Sequence, residues 1–502
     1  MKSNDLRFAG KNTSVWMDTT PATNYPALEQ DISADVAVIG GGIAGLMSAF
    51  FLQRAGFKVV VLEGSRIVAG TSGYTTAKIT SAHALVYKYL IDHFGAAKAQ
   101  IYASSNQEAI ETIGSLVNEY HIDCDLQRLP AFTYSTSEAD NEEITAEVAA
   151  AQSLGLPVSF TRDASLPFPI AAAIKYEHQA KFHPRKFLLA IAALIVQNGG
   201  HIFEETLVSS LQEGSPHQII APRGMVTAPK VVVTSNLPFY DPGRFFAPMT
   251  RRQSYTIGVR VDGLLPEGVF YGPEIYNFHS LRTQPLSANE DILLIGGELH
   301  QPGEIIDTLQ QYELLEAWAQ RYFPVKSLAY RWTTSDSESF DKVPMIGQIS
   351  PQSPHIFVAT GFGGWGMTHG TIAGLILAAE VSGRQHPWSS LYSPARFPQF
   401  SARPEKTSIF RQWKRPPKYE EAFTDLRVGE GAVKKFGGKI VAAHRDAQGD
   451  LHAVSAVCTH MGCIVAWNPA EQTWDCPCHG SRYDAMGKVI HGPAPHDLAK
   501  DI

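Results

Sequence analysis

Asp35-Val36-Ala37-Val38-Ile39-Gly40-Gly41-Gly42-Ile43-Ala44-Gly45 is the stretch whose reading decides the fold of most of this chain. Its apolar run reads as a buried strand, and Leu46-Met47-Ser48-Ala49-Phe50-Phe51-Leu52 after the glycines continues as a helix. Phe57-Lys58-Val59-Val60-Val61-Leu62-Glu63 then reads as a second strand, completing a βαβ unit. Gly40, Gly42 and Gly45 give the G-x-G-x-x-G spacing where it carries meaning, with a strand before it, a helix after it and an acidic residue ending the next strand. Such glycines let a pyrophosphate approach backbone N–H groups at the helix start, around Ile43 and Ala44, while Glu63, followed by Gly64, can accept from ribose hydroxyls. The bland reading is a flexible glycine turn, and this unit by itself leaves FAD and NAD both open.

With 502 residues, 44% hydrophobic and 18% charged, the chain is long enough for more than one core, so two or three domains are expected. A formal charge of −7 gives no basic footprint, which argues against nucleic acid or an anionic membrane as partner. No apolar run is long enough to span a bilayer, and Met1–Thr20 lacks the apolar core of a signal peptide, so a cytoplasmic location is expected.

Near the C-terminus, Cys458-Thr459-His460-Met461-Gly462-Cys463 is followed by Cys476-Pro477-Cys478-His479-Gly480-Ser481. Cys458 and Cys476 can hold one iron by thiolate and His460 and His479 a second by imidazole, the mixed ligation of one class of [2Fe–2S] centre. Zinc is the rival for the same four residues. It leaves the second cysteine of each loop unexplained, and the Pro-Cys-His-Gly-Ser run with it. The pair of loops resembles the Rieske proteins of respiratory and photosynthetic complexes. That resemblance implies that Ser481 and Tyr483 donate hydrogen bonds to cluster sulfur, stabilising the reduced cluster and raising its potential. Cys463 and Cys478, one in each loop, are expected to form a disulfide clamping the loops together. In a reducing compartment this would have to be a buried local clamp. Cys124 is left over and reads as a small core residue.

Gly70-Thr71-Ser72-Gly73-Tyr74-Thr75-Thr76-Ala77-Lys78 resembles the segment that passes under the isoalloxazine in the D-amino-acid oxidase/glycine oxidase superfamily, and the likeness extends through most of residues 35–390. It favours FAD and implies contacts from Thr71, Ser72, Thr75 and Thr76. His201 to Val208 resembles the strand whose backbone meets the adenine, with Val208 at the matching place. Asp341-Lys342-Val343-Pro344-Met345-Ile346-Gly347 resembles the D-x-x-P-x-I-G re-entry into the FAD domain. Gly363, Gly364, Trp365, Gly366, Met367 and Thr368 form a Gly-rich turn opening a helix, a positive dipole end that in the family faces the flavin N1/C2=O edge. Covalent flavin is not expected, since a possible attachment place for histidine, position 74, is tyrosine.

The resulting expectation is an α/β plus α+β chain: a Rossmann-like FAD-binding domain with an inserted mixed-sheet substrate domain, then a small all-β Rieske domain. An arm spans 1–33 and the oxidoreductase 34–392, with FAD-binding parts near 34–120, 183–247 and 331–392 and substrate-domain parts near 121–182 and 248–330. Residues 393–423 are a proline-rich linker, a semi-rigid tether, and 424–502 the Rieske domain. Arg282 and Tyr255 are candidates for the substrate, a carboxylate clamp and a ring on the roofing sheet, with an ion pair and a core ring as the plain alternatives. Lys78, in the flavin segment, could polarise flavin or touch substrate. The resemblance implies a dehydrogenase that oxidises an amine or amino acid by hydride transfer to FAD. Electrons would pass singly to the cluster and on to an external acceptor, a protein or quinone-like molecule. The alternative is a flavo-iron-sulfur module relaying electrons between protein partners. A Rieske oxygenase is disfavoured because no D-x-x-H-x-x-x-x-H arrangement is present to bind mononuclear iron.

Overall fold

The computed structural model describes residues 10–242, 249–263, 265–273, 279–287, 289–301, 306–397, 417, 421–478 and 480–500. His479 and most of the linker, 398–416 and 418–420, lie outside the described residues. A six-stranded sheet carries the glycine-rich turn. Its order is Met345–Ser350, Ser353–Thr360, Lys230–Val233, Val36–Ile39, Val59–Leu62, His201–Phe203, antiparallel at the first pair and parallel thereafter. Val36–Ile39 and Val59–Leu62 are buried at every position, which is why they read as unbroken apolar runs. The helix Ile43–Arg54 leaves the first of these strands and packs on the helix Gly366–Val381. That contact is close because of small residues: a Cβ at Gly370 would lie 2.8 Å from Ile43, and one at Gly374 2.9 Å from the Met47 backbone.

A ten-stranded mixed sheet is built around two long antiparallel partners, Met249–Val261 and Val325–Ser339. Alternation along Met249–Val261 assigns its faces. Tyr255, Ile257 and Val259 enter a core with Leu309, Tyr312 and Leu315 of the helix Thr308–Tyr322. Arg252, Ser254 and Thr256 look the other way, into a small cavity. The N-terminal segment ties the sheets together: Lys11–Asn12 adds to this sheet beside Val325–Ser339, and Ile32–Ser33 pairs with Gly224–Ala228 of a four-stranded sheet.

The C-terminal part consists of two small antiparallel sheets, Gly431–Phe436/Lys439–Arg445/Leu451–Ser455 and Ala466–Asn468/Thr473–Asp475/Arg482–Asp484/Val489–His491. It has a core of its own around Trp474, Tyr483 and Leu498, yet Ala470 is buried in the core of the neighbouring sheet. Thr308 donates to Asn468 (3.0 Å), Tyr312 to Glu471 (2.8 Å), Arg331 to the Ala470 carbonyl (3.3 Å) and Arg482 to Thr333 (3.2 Å). The small domain is therefore seated against the large one by specific contacts, where the sequence suggested only a tether. No helix among the described residues is long and apolar enough to cross a membrane.

Candidate active site and cluster site

One groove collects most of the residues expected to hold a dinucleotide. Gly40, Gly42, Ile43, Ala44, Glu63, Gly64, Thr71, Ser72, Thr75, Val208, Gly364, Gly366 and Met367 line it. The Glu63 carboxylate accepts from the N–H of Gly41 (2.7 Å) and of Ser65 (2.9 Å), which fixes it at the groove wall. The helix Ile43–Arg54 opens without a side-chain cap, and Ser72 Oγ accepts from Ile43 N–H at 3.0 Å. Only glycine fits the turn: Gly40 has φ +111°, and a Cβ at Gly45 would lie 1.8 Å from the Gly40 carbonyl oxygen. This cradle and donor set fit a dinucleotide pyrophosphate. Gly45 and Thr368 are absent from the lining; Gly45 packs beneath the turn, and Thr368 donates to the Trp365 carbonyl at 3.4 Å.

The flavin segment is held carbonyl by carbonyl. Ser14 donates to Gly73 O (2.5 Å), Trp332 Nε1 to Tyr74 O (2.8 Å), Trp16 Nε1 to Thr75 O (2.6 Å), and Arg282 Nη1 to Thr76 O (3.1 Å) and Ala77 O (2.6 Å). Arg282 is fully buried, also donates to Phe182 O at 3.1 Å and to Gln284, and stacks over Trp16. The structure thus places Arg282 beneath the flavin segment and outside the cavity. Tyr255 is also outside it: the odd-numbered face of its strand is core, and its ring packs on Tyr312 and His300. Lys78 sits one layer behind the cavity, its ammonium 3.1 Å from Thr76 Oγ1 and 4.3 Å from the ring centre of Tyr271. Burial, then the charge of Arg282, hold the Lys78 amine well below its ordinary range.

The cavity itself, about 110 Å³, is lined by Thr76, Arg252, Ser254, Thr256, Tyr271, Asp336, Glu338, Gly363 and Trp365, among others. Arg252 is ion-paired with Glu338. Asp336 lies beside Gly364, whose Cβ would be 3.9 Å from its Oδ2. Burial raises the Asp336 carboxyl to about 6, against the pull of Arg252 and Arg251. Tyr271 and Trp365 meet edge to face at 4.8 Å and supply an aromatic wall. Sequence reading missed Arg252, Asp336 and Glu338, although polar residues at every second position of two strands carried the signal.

At the cluster loops, Cys458 and Cys476 are buried free thiols. Cys463 and Cys478 are disulfide-bonded with Cα atoms 6.4 Å apart, and their sulfurs lie within 4.8 Å of Cys476 Sγ. Hydrogen bonding with Cys476 pulls the Cys458 thiol below its ordinary range, and Tyr483 and Ser481 add to this against burial. Tyr483 OH donates to Cys458 Sγ at 3.2 Å, and Ser481, fully buried, accepts from Ala494 N–H at 3.0 Å. His460 is half-buried, and burial lowers its pKa, favouring the neutral imidazole a metal requires. Two buried thiols, that of Cys458 prone to ionise, and a neutral imidazole are a donor set that fits an iron–sulfur cluster.

Comparison with known proteins agrees with both sites. The FAD dependent oxidoreductase (DAO) family profile matches residues 35–380, and the Rieske [2Fe-2S] domain profile matches residues 420–500. A Bacillus subtilis (strain 168) protein named for a Rieske 2Fe-2S iron-sulfur centre, YhfW, is 35% identical over 96% of this chain and 96% of its own. Gamma-glutamylputrescine oxidoreductase of Escherichia coli (strain K12) is 25% identical over 74% of this chain and 89% of its own. The crystal structure of glycine oxidase from Geobacillus kaustophilus superposes with a TM-score of 0.61 at 18% identity, over 73% of this chain and 99% of the other, which shows a shared fold.

Proposed function

Because the chain belongs to the FAD dependent oxidoreductase (DAO) family and carries a Rieske [2Fe-2S] domain, we propose that it is a dehydrogenase of an amine or amino acid whose electrons leave through the cluster to an external acceptor. Its cofactors are FAD and a [2Fe–2S] cluster. FAD supplies a hydride acceptor for the carbon bearing nitrogen, and the cluster supplies a one-electron store. The observation that carries the reading is the seating of the cluster loops on the back of the sheet whose other face walls the flavin cavity.

In this reading Asp336 receives the substrate nitrogen. Its carboxylate faces the cavity, and an ammonium can donate to it and stand beside the glycine turn. Arg252, held by Glu338, orients polar groups of the substrate, while Tyr271 and Trp365 bound its apolar part and exclude water. Glu63, the Gly40–Gly42 turn and the Gly363–Met367 turn hold FAD. Cys458, His460, Cys476 and His479 hold the cluster, with Ser481 and Tyr483 donating to it.

Anaerobic mixing of the holoprotein with a panel of amines and amino acids tests this. At least one should bleach the flavin absorbance within the dead time to seconds range of a stopped-flow instrument. Bleaching by none of them, together with reduction by a reduced partner protein, would replace the dehydrogenase with the electron-relay reading.

A further inference from the structure

The groove that fits a dinucleotide is walled in part by the small domain. Val489, Ile490, Gly492, Pro493, Ala494 and Pro495, all beyond the second cluster loop, line it together with Glu63, Thr71 and Met367. Ile490 is 48% exposed, so a dinucleotide lying in the groove covers an apolar side chain there. This residue stands where the groove meets a second cavity of about 650 Å³ between the two domains, and Ala69, Gly70 and Thr71, at the start of the flavin segment, likewise line both. Both cluster loops hold the segment in place. Ala494 N–H donates to Ser481 Oγ (3.0 Å), and Thr459 Oγ1, between Cys458 and His460, donates to His496 O (2.6 Å). Val489 N–H donates to Asp497 Oδ1 at 2.8 Å, and the strand Val489–His491 pairs with Arg482–Asp484.

We infer that segment 489–495 is a FAD-binding element supplied by the Rieske domain, so that the small domain helps to hold the flavin cofactor as well as the cluster. Three properties suit it to that task. Its backbone is already fixed by hydrogen bonds and by two prolines, so little conformational freedom is lost when a ligand settles against it. Ile490 offers apolar surface whose burial favours the bound state. From Val489 to His496 the chain carries no carboxylate, so it sets no anion against a diphosphate. The bonds of Asn468, Glu471 and Arg482 to the large domain keep the segment at the groove. The inference rests on the groove being the FAD site and on no choice of substrate.

The test is a FAD titration, followed by flavin fluorescence, of the full-length protein stripped of its flavin, in the parent and in Ile490→Ala, Ile490→Asp and Met486→Asp. Met486 is 42% exposed and lines the cavity between the domains but not the groove, so its variant controls for a charge added to this face. Ile490→Ala should raise the Kd for FAD about threefold and Ile490→Asp about tenfold or more, with Met486→Asp at the parent value and the cluster EPR signal retained in all. In the parent, hydrogen exchange across 489–495 should slow when FAD is added. The parent's Kd in both Ile490 variants, an equal loss in Met486→Asp, or exchange unaltered by FAD would overturn the inference. A parent that takes up no FAD would overturn the assignment of the groove itself and this inference with it.

Discussion

Arg251 and Arg252 are consecutive on one strand and serve opposite faces: Arg252 is ion-paired with Glu338 in the flavin cavity, and Arg251 lies against Gly480 of the cluster loop. A single sheet thickness therefore separates the site where a substrate would be oxidised from the site where electrons would be stored. Pleating alone produces this arrangement, because neighbours in a strand point to opposite faces. The hydrogen bonds of Asn468, Ala470, Glu471 and Arg482 keep the two sites in register.

Ser481→Ala and Tyr483→Phe each remove a hydroxyl at the buried thiolates, one of them bonded to Cys458 Sγ at 3.2 Å. Each variant should lower the potential of the cluster while retaining iron, and an EPR-monitored redox titration reads this directly. Iron loss in Ser481→Ala would instead mark Ser481 as a structural clamp on the Ala494 N–H.

Arg282→Met should destabilise the protein by about 3 kcal/mol or more, because it strands the buried carbonyls of Thr76, Ala77 and Phe182. Denaturant unfolding of the variant and its FAD dissociation constant are the measurements. Both should worsen, since the flavin segment loses its support. Normal stability with a raised KM would return Arg282 to a substrate-binding role.

Amine binding should weaken as pH falls through about 6. There the Asp336 carboxyl takes up a proton and loses the charge that attracts an ammonium, which itself stays protonated. Asp336→Asn should weaken binding about tenfold or more above that pH and erase the inflection. Perturbation of the flavin spectrum by a non-reducing amine reports the affinity without turnover. A variant with the parent's pH profile would remove Asp336 from the site.

The sequence disclosed what depends on chain-local chemistry. The turn of Gly40, Gly42 and Gly45 with Glu63 was legible because a glycine-rich turn between a strand and a helix is a contiguous feature, and the two loops of Cys458, Cys463, Cys476 and Cys478 because closely spaced cysteines stand out along the chain. Arg282 and Tyr255, on two strands of the sheet expected to roof the flavin, pointed in sequence toward the substrate. Which face a strand residue takes depends on pairing: Tyr255 lies opposite Thr333 and Gly297, and that register turns it to the core. The useful clue was the alternation of Arg252, Ser254 and Thr256 with Tyr255, Ile257 and Val259. The seating of the small domain was hidden for a related reason, since Asn468, Glu471 and Arg482 meet partners more than a hundred residues away.

The most direct test of the account follows the electrons. Under anaerobic conditions a reducing amine or amino acid is mixed with the parent holoprotein and with Cys458→Ser, and flavin absorbance and the cluster EPR signal are followed together. The account predicts that in the parent flavin bleaching is followed by growth of the reduced-cluster signal and by fast reoxidation with a one-electron acceptor. Cys458→Ser should bleach at the same rate, show no cluster signal and reoxidise slowly. Rapid peroxide formation from O₂, equal in both proteins, with no cluster reduction in the parent, would contradict it.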